Sequence, residues 1–227
     1  GAVDISLNSD VGAATTLPKI ILTVTADSKI VTLGGAIPLL SYALSGFPPG
    51  ESLETSDITG EAECTTTATA STVGAYPIVC SIGTLASDYY DFSTFTDGTL
   101  TIQYKWGGFL QPIDDPIAQP GITTPSIFKA GSTVPVKFRL KDAGGNIVQS
   151  AVAPEWLASV KSGALSGAVD EAVYTSTATA GTAFRWDATS QQYIYNWQTK
   201  GSSPGYWYYI FVRLDDGSVR SVKVGLK

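Results

Sequence analysis

In the stretch Val134-Pro135-Val136-Lys137-Phe138-Arg139-Leu140-Lys141, apolar side chains occupy every even-numbered position. A period of two is typical of a β-strand with one face toward a core, so the even-numbered side chains are predicted to point inward. Helical periodicity is almost absent from the chain. Its best candidate, Pro154 to Val160, predicts only one or two turns that begin at a proline. The sequence therefore predicts an all-β fold.

Strand-like runs bounded by Gly, Pro, Asn, Asp or Ser recur along the chain at the spacing of about 8 to 12 residues that β-sandwiches show. A first set of predicted strands comprises Ile20 to Ala26, Ile30 to Leu33, Leu39 to Leu44, Glu61 to Thr67, Ala75 to Ile82 and Thr99 to Tyr104. A second set comprises Thr133 to Leu140, Asn146 to Gln149, Ala183 to Trp186, Gln192 to Trp197, Tyr206 to Leu214 and Val219 to Leu226. Two sets predict two tandem immunoglobulin-like β-sandwiches.

The region between the two sets, Gly107 to Pro125, contains four prolines and is not expected to form a central strand, because proline donates no ladder hydrogen bond. We place the boundary near Gln103 to Trp106. The predicted organisation is an N-terminal extension (1–18), a first sandwich (19–104) and a second sandwich (105–227). After the boundary the chain forms either a stiff linker or a lead-in edge strand of the second sandwich.

The charge balance restricts the class of partner. Fourteen Lys and Arg against 20 Asp and Glu give a net charge of −6, which disfavours nucleic acid and anionic lipid as partners. The expected partners are other copies of the chain, other cell-surface proteins, or glycans. No apolar run approaches the ~20 residues of a membrane helix, so no membrane span is expected.

The two cysteines, Cys64 and Cys80, flank the turn-like sequence Ser71 to Gly74. This spacing lets two antiparallel strands bring them together, and it predicts a disulfide in an oxidising compartment. The alternative is a pair of buried thiols in a cytosolic protein. A chain that begins at Gly1 and contains no Met predicts removal of an N-terminal leader, which favours a secreted, extracellular protein of the cell surface.

Several motifs between residues 19 and 102 resemble the MBG repeats of bacterial exported proteins. They are Leu22 to Asp27, Ile37 to Phe47, Gly60 to Cys64, Val73 to Cys80 and Asp97 to Ile102. The sequence departs from the family at Val31-Thr32-Leu33, where an aromatic residue usually precedes the glycine, and at Ser87 to Tyr90, where an Asn-Tyr pair is usual.

From about Trp106 to Lys227 the chain resembles the PxKF domain, whose motif is Pro135-Val136-Lys137-Phe138 here. Supporting motifs are Phe109 to Asp114, Gln192 to Thr199 and Val212 to Gly217. Domains of this type stand at the C-termini of large exported proteins. The resemblance implies a place at the cell surface and a domain architecture, and it supplies no activity, so it leaves the function open.

The composition argues against an enzyme. The chain contains no His, which excludes Ser-His-Asp triads and most zinc sites, and it has no phosphate-binding or calcium-binding loop motif. A glycosidase that uses two carboxylates needs a deep cleft, which two small sandwiches rarely supply. The neighbours Asp215 and Asp216 precede Gly217 between two β-rich runs and are interpreted as hairpin-turn residues. No catalytic residue, metal or cofactor is predicted.

Two groups of side chains are candidate contacts with a partner or a glycan. The first is the basic row Lys137 and Arg139, for which the alternative is a solvated face that protects a sheet edge from aggregation. The second is the aromatic row Trp207, Tyr209 and Phe211, which points outward if Ile210, Val212 and Leu214 point inward. Another domain, another subunit or a sugar is then expected to cover these rings.

The N-terminal run Ala2 to Asp10 also alternates, with Val3, Ile5 and Leu7 on one face. Three alternatives are open for it: an extra edge strand within its own domain, a frayed end, or a donor strand that completes the sheet of a neighbouring subunit.

The sequence predicts a secreted, non-enzymatic structural protein of the cell surface, as the repeating subunit of an extracellular filament or surface layer. The alternative is an adhesin or glycan-binding module.

Overall fold

The computed structural model describes residues 18–227, so the candidate donor strand with Val3, Ile5 and Leu7 lies outside the described residues. These residues form an all-β structure of sixteen strands with no α-helix, and Leu53–Thr55 is a single 3-10 turn. The strands are β1 (Ile20–Ala26), β2 (Lys29–Thr32), β3 (Tyr42–Ser45), β4 (Glu63–Thr66), β5 (Gly74–Ser81), β6 (Tyr90–Thr96), β7 (Gly98–Gln103), β8 (Lys105–Leu110), β9 (Ile127–Phe128), β10 (Thr133–Lys141), β11 (Ile147–Val148), β12 (Glu155–Ala164), β13 (Arg185–Asp187), β14 (Gln192–Gln198), β15 (Tyr206–Arg213) and β16 (Val219–Leu226). The predicted all-β class is confirmed.

The first seven strands form two sheets, with the orders β3-β1-β6 and β2-β7-β5-β4. In the first sheet β1 pairs antiparallel with β3 and parallel with β6. Buried side chains from both sheets form one core, with Leu22 and Val24 from β1 and Ile78, Leu100 and Ile102 from the second sheet fully buried. Because these residues alternate along their strands, each sheet presents one apolar face to this core.

The remaining strands form two further sheets around a second, aromatic core. One sheet has the order β11-β10-β14-β13 with β8 also paired to β10, and the other has the order β12-β15-β16-β9. Trp156 stacks on Tyr195 with ring centroids 4.7 Å apart and an interplanar angle of 2°. Since Trp156 belongs to β12 and Tyr195 to β14, this contact joins the two sheets across the core.

The position of β10 corrects one prediction. The four inward side chains Val134, Val136, Phe138 and Leu140 are fully buried, as the alternation predicts. However, β10 pairs with β8 along one side and with β14 and β11 along the other. The interpretation of Lys137 and Arg139 as guards of a free edge is therefore wrong. Lys137 has a partner on both sides, and Arg139 lies between Phe138 and Leu140, which are also paired on both sides. Pro135 lies before Lys137, the first residue of β10 that pairs with β8, so it has a neighbouring strand only on the β14 side. A proline has no N–H to donate and is tolerated at such a position.

The helix candidate Pro154 to Val160 is also wrong, because Glu155–Ala164 is strand β12. It pairs antiparallel with β15, with a register shift between Leu157 and Val160. That irregularity disrupts the alternation of period two, which explains why the sequence pattern did not predict a strand. Burial of Trp156 in the aromatic core outweighs the weak helical preference of the segment.

Besides β12, the predicted sets of strands lack β6, β8 and the two-residue β9. In β6 only Tyr90 and Phe92 are buried, and the next four residues are polar or exposed. In β8 the pair Gly107-Gly108 interrupts the pattern. Of the two alternatives for the chain after the predicted boundary, the structure shows an edge strand, β8, and the four prolines follow it outside any strand.

The two cores meet at a short junction. A single residue, Tyr104, separates β7 from β8, and its side chain is buried in the second core. Leu33 and Val73 pack against both cores. The Ala143 amide donates a hydrogen bond to the Leu33 carbonyl oxygen at 2.8 Å. The junction thus consists of packed side chains and main-chain hydrogen bonds as well as the connecting peptide.

Candidate functional site

Cys64 and Cys80 lie directly opposite each other on β4 and β5. Their sulfur atoms are 1.97 Å apart and their Cα atoms 4.0 Å apart, so the pair is placed for a disulfide. β4 has only four residues and lies at the edge of its sheet. The covalent link therefore holds a short edge strand that hydrogen bonds alone would hold weakly.

The basic row does not form an open cationic surface. The guanidinium of Arg139 donates a hydrogen bond from Nη2 to the Ser190 carbonyl oxygen at 2.9 Å, and its Nε is buried. Arg139 thus fixes the turn between β13 and β14. Lys137 is half-buried and lies between Leu110 of β8 and Ile194 of β14. A bound anion would meet at most one free cation here.

The aromatic row lies on the outer face of its sheet, because Ile210, Val212 and Leu214 are in the core. The three rings differ in exposure. Trp207 is partly covered: a Cβ added at Gly225 would lie 3.1 Å from its ring, and the Lys223 ammonium lies 4.8 Å from its centroid. Tyr209 is the most exposed of the three at 38%, with Phe211 tilted beside it at 6.5 Å.

Asp215 and Asp216 are placed in the turn between β15 and β16, as predicted. The turn closes through the Leu214 amide and the Ser218 carbonyl oxygen at 2.9 Å, with Gly217 at a φ of 81°. Asp216 is buried and accepts hydrogen bonds from the Ser218 amide at 2.8 Å and the Tyr104 amide at 3.0 Å. The carboxylate thereby joins the last hairpin to the junction between the two cores.

Tyr104 lies beside the same turn. Burial, and then the negative charge of Asp215, raises the pKa of the Tyr104 phenol well above its usual range. The tyrosine therefore remains neutral at any physiological pH. The neighbouring carboxylates accept hydrogen bonds from backbone amides: Asp216 from Tyr104 and Ser218, and Asp215 from Val152 at 3.0 Å.

A concave site borders Tyr209. Its cavity of about 320 Å³ lies between the outer face of β15 and β16 and the loop of residues 114–125. Tyr209, Ser221 and Lys223 line it from the sheet. The loop contributes Asp114, the 60% exposed Ile117, and Thr124. Such a volume is at the small end of the range for ligand sites.

The loop that forms this wall is held by one buried carboxylate, Asp115. It accepts hydrogen bonds from the Phe109 amide at 2.7 Å and the Ile117 amide at 2.9 Å. Gln119 adds two contacts, since its side-chain oxygen accepts from the Asp115 amide and its side-chain nitrogen donates to the Phe109 carbonyl oxygen. These bonds preform the cavity. Sequence reasoning missed it, because an apolar loop rich in prolines gives no periodic signal.

Across residues 18–227, no group of three or more acidic or cysteine side chains is arranged to hold a metal ion. The same part of the chain has no helix with the length and apolar character that a membrane crossing requires.

Comparison with known families matches residues 22–101 to the MBG domain (YGX type). The match runs from β1 into β7 and covers every buried residue of the first core except Ile102. The MBG-type resemblance is thus confirmed for this part of the chain. No curated protein matches the chain.

Proposed function

We propose that this chain is a secreted, non-enzymatic structural protein of the cell surface, the repeating subunit of an extracellular filament or surface layer. The observation that carries the proposal is the junction between the two cores. One buried residue connects β7 to β8, and two side chains pack on both sides. A load along the chain would pass through hydrogen-bonded strands without a flexible linker between them.

The proposal includes the domain architecture. Residues 19–104 and 105–227 are taken as two immunoglobulin-like sandwiches, because each set of strands forms two sheets around one core. We assign the second unit to the PxKF type. Its motif lies in β10 with Val136 and Phe138 buried, Gln192–Gln198 forms the neighbouring strand β14, and residues 212–217 lead into the last turn.

The disulfide geometry supports an extracellular location, since disulfides persist in oxidising compartments. The MBG match supports the same location only through the resemblance to exported proteins. Immunogold labelling of intact source cells tests it. We expect gold particles on the outer surface without permeabilisation, and label confined to permeabilised cells would contradict the proposal.

For assembly, we propose that residues 2–7 add as a strand to the free edge of β6 in the next subunit. Among the described residues, β6 pairs on one side only, with β1. Its seven residues are long enough to pair with residues 2–7, which include Val3, Ile5 and Leu7. Strand addition gives direction through main-chain hydrogen bonds, and a head-to-tail contact that does not close into a ring produces a filament.

A further inference from the structure

We infer that the cavity beside Tyr209 is a binding site for a neutral carbohydrate of one or two sugar units. This inference does not rest on the proposed assembly, since every residue that carries it lies in the second half of the chain. It also differs from the glycan hypothesis based on the whole aromatic row. Only one ring of that row lines the cavity, and that ring is Tyr209.

The first argument is the stacking surface. Tyr209 exposes 38% of its surface on the outer face of the sheet, where its ring is accessible to a ligand. A sugar ring packs its C–H face on an aromatic ring, whose electron-rich face attracts the partly positive hydrogens. The exposed Ile117 and the ring of Tyr209 line the same cavity, so a sugar would contact apolar surface on two sides.

The second argument is the set of uncommitted polar groups around that ring. In the described part of the chain, the hydroxyls of Thr123, Thr124 and Ser221 make no side-chain hydrogen bond. The Lys223 ammonium forms no ion pair there, although it lies 4.8 Å from the centroid of the Trp207 ring. Hydroxyl groups both donate and accept hydrogen bonds, as sugar hydroxyls require. These groups converge on one cavity, which is the usual design of a small-ligand site.

The third argument concerns charge and size. The lining includes one cation, Lys223, and one carboxylate outside the buried Asp115, that of Asp114. Lys223 offsets one of the two lining carboxylates, and the other, Asp115, is already bonded to two backbone amides, so the lining does not favour an acidic sugar. The volume of about 320 Å³ accommodates a mono- or disaccharide and excludes a longer chain except at its end. The hydrogen bonds of Asp115 preform the wall, which lowers the ordering cost of binding.

The test is saturation-transfer NMR on the full chain with glucose, galactose, mannose, N-acetylglucosamine and their disaccharides, each at about 10 mM, since weak sugar sites have Kd values near 1 mM. We expect at least one sugar to bind the wild type. Tyr209→Ala should weaken it about tenfold or more, and Tyr209→Phe, which keeps the ring, should retain most of the affinity. Tyr89→Ala is the matched control, because Tyr89 is an exposed tyrosine, 69% exposed, in the first half of the chain.

Three outcomes would overturn the inference: no binding by any sugar of the panel, equal binding by Tyr209→Ala, or equal loss in Tyr89→Ala. A panel of short apolar peptides run in parallel addresses the other class of ligand. If a peptide, and no sugar, binds in a Tyr209-dependent way, the cavity is a protein-docking site and the carbohydrate assignment is wrong. Circular dichroism of each variant separates lost binding from lost folding.

Discussion

At the scale of single residues, two buried carboxylates make structural hydrogen bonds that the sequence pattern does not predict. Asp216 was predicted as a turn residue, and it is one. Its bond to the Tyr104 amide, 112 positions away in the chain, was beyond prediction, because no local pattern encodes a contact between distant segments. Asp115 is a similar case, since only the structure shows that its side chain holds the wall of the cavity.

Replacing Asp216 with Ala should destabilise the second unit by about 2 kcal/mol, because a buried amide at Tyr104 would lose its acceptor. All five tryptophans follow residue 105, so the denaturant midpoint of tryptophan fluorescence reports on this unit alone. Ser176→Ala is the control: Ser176 is exposed in the same unit and makes no side-chain hydrogen bond among the described residues, so its loss should change stability by less than ~0.5 kcal/mol. Equal effects of the two substitutions would show that the buried bond is unimportant.

Asp57 gives a pH-dependent prediction in the first unit. Its carboxylate accepts hydrogen bonds from the Ser87 hydroxyl at 2.6 Å and the Asp88 amide at 2.7 Å, and these bonds lower the pKa of Asp57. Because its pKa is lowered in the folded state, ionised Asp57 stabilises the folded protein. This stabilisation is present above the unfolded-state pKa of ~3.9 and is lost as the pH falls through the folded-state pKa.

Melting temperatures of wild type and Asp57→Asn, followed by circular dichroism from about pH 7 down to about pH 3, check this sign. We expect wild type to melt at the higher temperature at neutral pH, and we expect the difference in melting temperature between the two proteins to decrease in acid. Asp97→Asn, measured at pH 7, is the control for the change in net charge, since it removes an exposed carboxylate of the same unit. A difference that grows as the pH falls would contradict the assignment.

At the scale of elements, strands with clean alternation were predicted well and irregular strands were not. The bounds of β1 and β16 agree with the predicted strands to the residue. Register shifts in β12 and the glycine pair in β8 disrupt the period of two, and those segments were assigned a helix or no structure. A period of two in the sequence indicates a regularly pleated strand. A β-bulge inserts an extra residue and breaks that period, so a bulged strand is not recognised from the sequence pattern.

The link between β4 and β5 leads to a prediction for the first unit. A disulfide between Cys64 and Cys80, which are 16 positions apart, restricts the unfolded chain by closing a loop. On the chain-entropy model it should stabilise the first unit by about 3 kcal/mol. Reduction, or the double substitution Cys64→Ser and Cys80→Ser, should lower the calorimetric transition of the first unit. The transition followed by tryptophan fluorescence should not move. Free thiols in the native protein, or a fluorescence transition that shifts equally, would contradict this account.

At the scale of the whole molecule, residue patterns gave the all-β class and motif resemblance gave the MBG-type region, now matched over residues 22–101. The junction between the two cores was not predictable. Its contacts join Leu33, Val73 and Tyr104 to partners far away in sequence. The cavity beside Tyr209 was equally hidden, because it exists only where a proline-rich loop folds over a sheet face.

The central proposal is that this chain assembles into an extracellular structure when residues 2–7 pair with a neighbouring subunit. Electron microscopy of purified full-length chain at high concentration, beside a variant without residues 1–10, tests it most directly. The account predicts ordered filaments or layers for the full-length chain and folded monomers for the variant, with unchanged circular dichroism and melting. Dispersed monomers of the full-length chain, or equal assembly of the variant, would contradict it.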